Sequence, residues 1–310
     1  MHLLIPFAAA VSEASTHVVR DLNLPHLTKL LARMTPAQRF GTDEYSLSTP
    51  HERALADALG WHGDDGALPW AARSAAADGI ATHDHAWGLL TPVHWHVGRD
   101  HISLLDPAAL KLADSESRQL LDAIRHLFDS EGWIVEYGAT TRWYAAHETL
   151  AGLACASLDR VIGRNVDLWL PNHPQARGIR RLQNEVQMLL YNHPINDERE
   201  ARGELAVNSF WLSGCGRPQA ATPHEALEID DSLRAPLLAD DWAAWADAWR
   251  ALDAGALAAL LAQTQCNDTV TLTLSGERHA QRYASNGRSV WQRVSGTWRA
   301  TPPHVALEAL

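Results

Sequence analysis

The chain has 310 residues, 46% of them hydrophobic and 20% charged, enough for one large α/β core or a core with an inserted lobe. Asp and Glu outnumber Lys and Arg by 37 to 26, a net charge of −11 that argues against non-specific binding to nucleic acid or anionic lipid. No stretch approaches the roughly 20 apolar residues of a bilayer span, and the opening MHLLIPFAAAV lacks a basic n-region, so it reads as a first strand.

In chain order, Leu3 to Phe7 is a buried-strand candidate. Pro25 opens a helix with Leu27, Leu30 and Leu31 on one face, and Thr49-Pro50 opens another with Glu52 in its first turn. A short helix over Pro69 to Ala77 stops at Asp78-Gly79. Trp87 to Val97 and His101 to Leu105 read as two strands joined by the turn Gly98-Arg99-Asp100. Asp114 to Phe128 is an amphipathic helix, and Trp133 to Tyr137 and Thr141 to Tyr144 are strands. Arg217 to Leu237, with Pro218, Pro223 and Pro236, reads as a linker. Trp242, Trp245 and Trp249 recur at helical spacing, which predicts one long helix over Asp240 to Ala262. Val270 to Leu274 alternates as a strand. Asn286-Gly287 is a hairpin signal between Gln281–Ala284 and Ser289–Val294, and Thr297 to Ala300 completes an antiparallel meander. Thirteen tryptophans point to an aromatic core more than to stacking surfaces. Cys155, Cys215 and Cys266 lie far apart without metal-type spacing, which predicts reduced thiols in a cytoplasmic protein.

The segment Arg181 to Gly216 carries the most specific pattern. An amphipathic helix runs into His193-Pro194, then Asn196, Arg199, Gly203, and Asn208-Ser209-Phe210-Trp211 closing on Gly214-Cys215-Gly216. This string resembles the cofactor-independent (archaeal-type) phosphoglycerate mutases of the alkaline phosphatase superfamily. Weaker echoes follow in order: Leu24-Pro25-His26-Leu27, Ala58-Leu59-Gly60-Trp61, Tyr137 to Trp143, and Ser157 to Gly163. The likeness spans roughly residues 1–216. It extends to a bacterial family labelled sometimes mutase-like and sometimes regulatory. It implies an α/β fold with an alkaline-phosphatase-like three-layer core over 1–80 and 215–310, an inserted α+β lobe over 81–214, and the C-terminal meander.

The resemblance also implies two divalent metals, manganese or zinc, held by Asp and His, with a serine receiving the phosphoryl group. Two metals about 3.5–4 Å apart stabilise attacking and leaving oxygens together, so their ligands cannot be thinned freely. The implied first ligand is an Asp in a turn directly after strand one, where this chain has Pro6-Phe7-Ala8-Ala9. Ser48 or Thr49 occupies the nucleophile region, and Val270 to His279 contains no late ligand loop of the family's type. The catalyst reads as dismantled, with no cofactor expected. The residues on matching motif positions are Arg142, Asp159, His193, Asn196, Arg199 and Asn208. Arginine forks suit carboxylates and phosphates and Asn side chains can fix hydroxyls, so these six predict a site for a phosphorylated or carboxylated metabolite; the plain alternative is that they tie a loop to the sheet.

Two other clusters compete. His83, Asp84, His85, His94, His96, Asp100 and His101 crowd together, and His94 and His96 share a strand face, yet one strand's ligands do not close a metal site. Ser213-Gly214-Cys215-Gly216 lacks the G-x-S-x-G nucleophile elbow. The expectation is a cytoplasmic, non-catalytic small-anion-binding or regulatory protein. The alternatives are an active metal-dependent phosphomutase or phosphatase acting on phosphoglycerate-like substrates, and a protein-interaction scaffold using the Trp-rich C-terminal region.

Overall fold

The computed structural model describes residues 1–222, 226–265, 269–285 and 301–310. They form two compact units that are discontinuous in sequence: unit one is Met1–Tyr45, Thr49–Gly60 and Ala221–Leu310, and unit two is Ser46–Ser48 and Trp61–Ala220. Unit one begins with β1 (His2–Ile5), α1 (Glu13–Asp21), α2 (Pro25–Arg33), β2 (Thr35–Phe40) and α3 (Pro50–Ala58). Unit two supplies α4 (Trp70–Ala77), β3 (Trp87–Val93), β4 (Trp95–Val97), β5 (Ile102–Leu104), α5 (Asp114–Asp129), β6 (Ile134–Ala139) and β7 (Arg142–Ala146). It continues through α6 (Leu158–Val161), α7 (Arg177–Tyr191), α8 (Pro194–Ala201) and β8 (Ser209–Gly216). The chain then returns to unit one with β9 (Leu227–Ile229), α9 (Arg234–Leu238), α10 (Trp242–Leu252), α11 (Ala258–Gln265), β10 (Thr271–Ser275), β11 (Ala280–Ala284) and α12 (Pro303–Glu308).

Unit one is a mixed α/β layer structure. Its five-stranded sheet has the order β2-β11-β10-β1-β9, with β1 parallel to both β9 and β10, and with β11 antiparallel to β10 and to β2. Leu3, Ile5, Leu272 and Leu274 belong to one apolar core with Leu27 and Leu30 of α2, Trp245 and Trp249 of α10, and Leu260 of α11. Helix α3 packs on the same strands with residues outside that core, which places it on the opposite sheet face and makes three layers. Its start is fixed locally: the Thr49 Oγ1 accepts the Glu52 N–H while Glu52 Oε2 accepts the Thr49 N–H, a reciprocal capping box.

Unit two is built on a four-stranded antiparallel sheet, β6-β7-β3-β8. Helices α5 and α7 cover it through Leu120, Leu121, Ile124, Phe128, Ile179, Leu182 and Val186, which pack with Trp143 and Phe210. Helix α4 presents Ala71, Ala72 and Ala75 to Trp87 and Tyr144. That alanine face is why α4 belongs to this unit and the boundary falls after Gly60, not at the expected residue 80.

Four sequence expectations change. The strand over Trp87 to Val97 is interrupted at His94: β3 joins the large sheet, while β4 pairs only with β5. The long tryptophan helix is broken by a π turn over Asp253–Leu257. Residues 217–237 contain β9, so that segment is not simply a linker. Strand β10 is buried on both faces despite its alternating pattern, because Leu272 and Leu274 face the core while α3 packs on the strand with residues outside that core. The Asn286-Gly287 turn and the strands over Ser289–Val294 and Thr297–Ala300 lie outside the described residues. Among the described residues, no helix is long and apolar enough to cross a membrane.

Candidate functional site

In sheets with parallel strands, ligands gather at the carboxyl ends of those strands. In unit one these ends are Pro6-Phe7-Ala8-Ala9 after β1, Gly276-Glu277 after β10 and Asp230-Asp231 after β9, with the first two tied together by the Ala8 N–H donating to the Ser275 carbonyl at 2.7 Å. Phe7 has φ +58°, a left-handed conformation that non-glycine residues adopt at a cost of about 1–2 kcal/mol. Trp245 Nε1 donates to the Phe7 carbonyl at 3.1 Å, and the Phe7 ring lies 5.2 Å from His51, so packing holds the turn in place. The turn geometry would suit a glycine, and the neighbouring positions present proline and alanine where a carboxylate ligand is implied.

The nucleophile candidates are committed elsewhere. Thr49 Oγ1 caps α3 and sits 3.1 Å from His51 Nε2. Ser48 is buried in unit two and accepts the Gly66 N–H at 2.8 Å. Among the described residues, no three His, Cys, Asp or Glu side chains converge to hold a metal ion. The donors that the described residues place at these strand ends do not fit a dinuclear centre.

A cleft of about 570 Å³ opens beside the same strand ends, lined by residues 9–13 and the start of α1, and by Arg39, Arg278, His279 and residues 307–310. Arg39 donates to the Ala309 carbonyl at 2.7 Å, and Arg278 pairs with Glu44 at 2.8 Å. Hydrogen bonding to Glu44 and its charge raise the Arg278 pKa further. His279 Nδ1 faces the Gly41 carbonyl at 3.3 Å, and Ser12 caps α1 by accepting the Ser15 N–H at 3.0 Å. Arg39 carries no sequence motif and was not legible as a site residue. Arg278 and His279 follow β10, the one signal that could have singled them out.

The six residues singled out by sequence all lie in unit two. Asn196 is buried; its Nδ2 donates to the Leu190 and Val207 carbonyls at 2.8 and 2.9 Å, and its Oδ1 accepts the Val207 N–H at 2.9 Å. Arg199 is fully buried; it donates to the Leu205 carbonyl at 2.9 Å, to Glu116 at 2.6 Å and to the Leu110 carbonyl. Asn208 bridges to β4, accepting the Trp95 N–H at 2.7 Å and donating to its carbonyl at 3.0 Å. His193 caps α8 by accepting the Ile195 N–H, and Asp159 is half-buried in the first turn of α6. Arg142 forms a two-pronged bond with Asp78 at 2.7 and 2.8 Å, and Tyr144 donates to the same carboxylate at 2.7 Å. Thus Asn196, Arg199 and Asn208 converge on the segment 205–208, and Arg142 is engaged separately by Asp78.

Among the histidines, His94 and His96 have ring centroids 6.5 Å apart, and His94 Nδ1 is hydrogen-bonded to the Ala206 carbonyl at 2.8 Å. Trp245 and Trp249 are fully buried in the core of unit one, so those two rings present no surface to a partner.

The architecture is that of a mixed-sheet α/β protein whose chain is similar to phosphoglycerate-mutase-like proteins. No protein-family model matches it. The probable 2,3-bisphosphoglycerate-independent phosphoglycerate mutase of Geobacter sulfurreducens is 26% identical over 137 residues, which are 44% of this chain and 34% of that protein. The chain therefore matches about a third of that relative's length. Among solved structures, a cofactor-independent phosphoglycerate mutase from Thermoplasma acidophilum aligns over 100% of this chain and 98% of its own, with a TM-score of 0.38 and 15% identity. A protein from Pyrococcus horikoshii aligns over 91% of this chain and 86% of its own, with a TM-score of 0.44 and 10% identity. Both structural likenesses are distant.

Proposed function

We propose that this chain is a non-catalytic relative of the phosphoglycerate mutases that acts by binding, and that its ligand is a small phosphorylated or carboxylated metabolite. The observation that carries this reading is the turn after β1, where Pro6, Phe7 and Ala8 stand in place of an oxygen donor. Without that donor, paired metals have no first anchor, and the charge that develops in phosphoryl transfer has no counter-charge there. The cleft beside the turn offers the guanidinium groups of Arg39 and Arg278 and the imidazole of His279, donors that suit a carboxylate or phosphate.

Three measurements on the full chain test this. Protein purified without chelators is expected to carry less than one manganese or zinc ion per chain and to leave phosphoglycerate isomers unchanged. A panel of phosphorylated and carboxylated metabolites is expected to contain at least one that raises the melting temperature, because a ligand bound only by the folded state stabilises it. Arg39→Ala with Arg278→Ala is expected to abolish that rise. Two tightly held ions per chain together with isomerase turnover would overturn the proposal.

A further inference from the structure

Cys155 and Cys215, separated by 60 residues in sequence, bring their Sγ atoms to 3.6 Å inside unit two. Both thiols are buried and neither is in a disulfide. Cys215 lies on β8 between Gly214 and Gly216, and Gly214 is pressed so closely on α4 that an added Cβ would stand 2.8 Å from the Ala71 nitrogen. Cys155 lies in the irregular segment between β7 and α6, anchored by its own N–H donating to the Gly66 carbonyl at 2.9 Å. One sulfur is therefore on a clamped strand and the other on a loop. A disulfide has a sulfur–sulfur length of about 2.05 Å, so bond formation requires the loop sulfur to advance by roughly 1.5 Å.

We propose that Cys155 and Cys215 are a redox-sensitive dithiol that a hydroperoxide converts to an intramolecular disulfide. A cleft of about 330 Å³ is lined by Gly152, Leu153 and Ala154, the three residues immediately before Cys155. The Cys155 sulfur attacks one peroxide oxygen and gives up its proton; the O–O bond breaks, the sulfur becomes a sulfenic acid, and the other oxygen leaves as water with that proton. The Cys215 sulfur then attacks the Cys155 sulfur, gives up its proton and expels the hydroxyl group as a second water. Two thiols are oxidised and one hydrogen peroxide is reduced. The hydrogen bond with Cys155 and burial hold the Cys215 thiol well above its ordinary pKa. The link would close a loop containing α6, α7, α8 and most of β8, removing freedom from the unfolded chain.

The test uses the full chain carrying Cys266→Ser, so that only the two thiols in question remain. Treatment of the folded protein with hydrogen peroxide is expected to reduce the thiols titratable in denaturant from two to none. A cross-linked 155–215 peptide should appear with the loss of two hydrogens, and the melting temperature should rise by several degrees, all reversed by dithiothreitol. Adding Cys155→Ser is expected to remove both the link and the temperature rise. The result on the parent protein stands even if that variant folds poorly. Thiols that remain titratable, or sulfinic acid at one sulfur without a cross-link, would overturn the proposal.

Discussion

The Asp253 carboxylate receives the backbone N–H of His26 at 3.1 Å and faces the His26 ring Nδ1 at 2.9 Å, while a further hydrogen bond from the Leu27 N–H runs to Asp253 Oδ1 at 2.8 Å. Helix α2 has Leu24 at its N-cap position and no capping side chain of its own. A residue 227 positions away in sequence does that work, and it is the first residue of the π turn that interrupts the tryptophan helix. The inserted residue thus has an identifiable role: it places a buried carboxylate at the positive end of α2.

Asp253→Ala is expected to destabilise the protein by about 1–2 kcal/mol, the usual effect of removing an N-cap. Urea unfolding measures it. An unchanged midpoint would show that solvent or another group satisfies the exposed N–H groups equally well.

Arg199 offers a sharper test, because its matching motif position and its surroundings suggest different roles. It is fully buried and bound to Glu116 at 2.6 Å, with Glu204 farther off at 3.6 Å, so removing Glu116 strips a buried charge of its nearest partner. Glu116→Ala should therefore cost about 3–5 kcal/mol in the ligand-free protein. Burial opposes ionisation of Glu116, but the Ala113 N–H, Arg199 and Arg202 outweigh it and hold its pKa below the usual range. An Arg199→Lys variant that lost ligand response at full stability would assign Arg199 to binding instead.

Asp78 predicts the acid limb of stability. The hydrogen bonds from Arg142 hold its carboxyl below the usual range against the opposing effect of burial, with Tyr144 adding to the shift. The folded-state pKa is depressed, so this contribution is complete above the unfolded value of about 4 and is lost as pH falls through the folded value. Asp78→Asn should flatten the decline of melting temperature below pH ~4. A decline as steep as that of the unmodified protein would mean that other carboxylates control the limb.

Gly138 makes room for that pair: a Cβ there would lie 2.4 Å from Asp78 Oδ2 and 2.4 Å from the Tyr144 ring. Gly138→Ala is expected to cost about 1–3 kcal/mol by overpacking, read as a lower urea midpoint. A neutral result would show that the Asp78 carboxylate shifts freely.

Chelation distinguishes the two accounts of the strand ends. With no convergent ligand set among the described residues, prolonged treatment with a strong chelator should leave the melting temperature unchanged. A reversible fall restored by manganese or zinc would reinstate a metal-dependent enzyme.

Much of the local structure was legible because short-range rules decide it. Thr49-Pro50 with Glu52 announced α3, and the apolar spacing of Leu120, Leu121 and Ile124 announced α5. The apolar Pro6-Phe7-Ala8-Ala9 after β1 could be read directly, since no fold can supply a side chain that the sequence lacks. Partnerships across long sequence separations could not be read. Nothing local says that Asp253 caps α2, that Asp78 takes the Arg142 fork, or that two cysteines without metal-type spacing meet sulfur to sulfur. Nor does Thr-Leu alternation in β10 reveal a strand covered on both faces, because that depends on which helices pack against the sheet. Sequence by itself determined helices α2, α3, α4, α5 and α7, the tryptophan stripe of α10, most of the strands, and which side chains stand at the end of β1, while α1, α6, α8, α9 and α12 were not legible in it. Only the tertiary structure decided which charges are used up internally and which thiols touch, because those contacts form between segments whose separation along the chain carries no information about their distance in space.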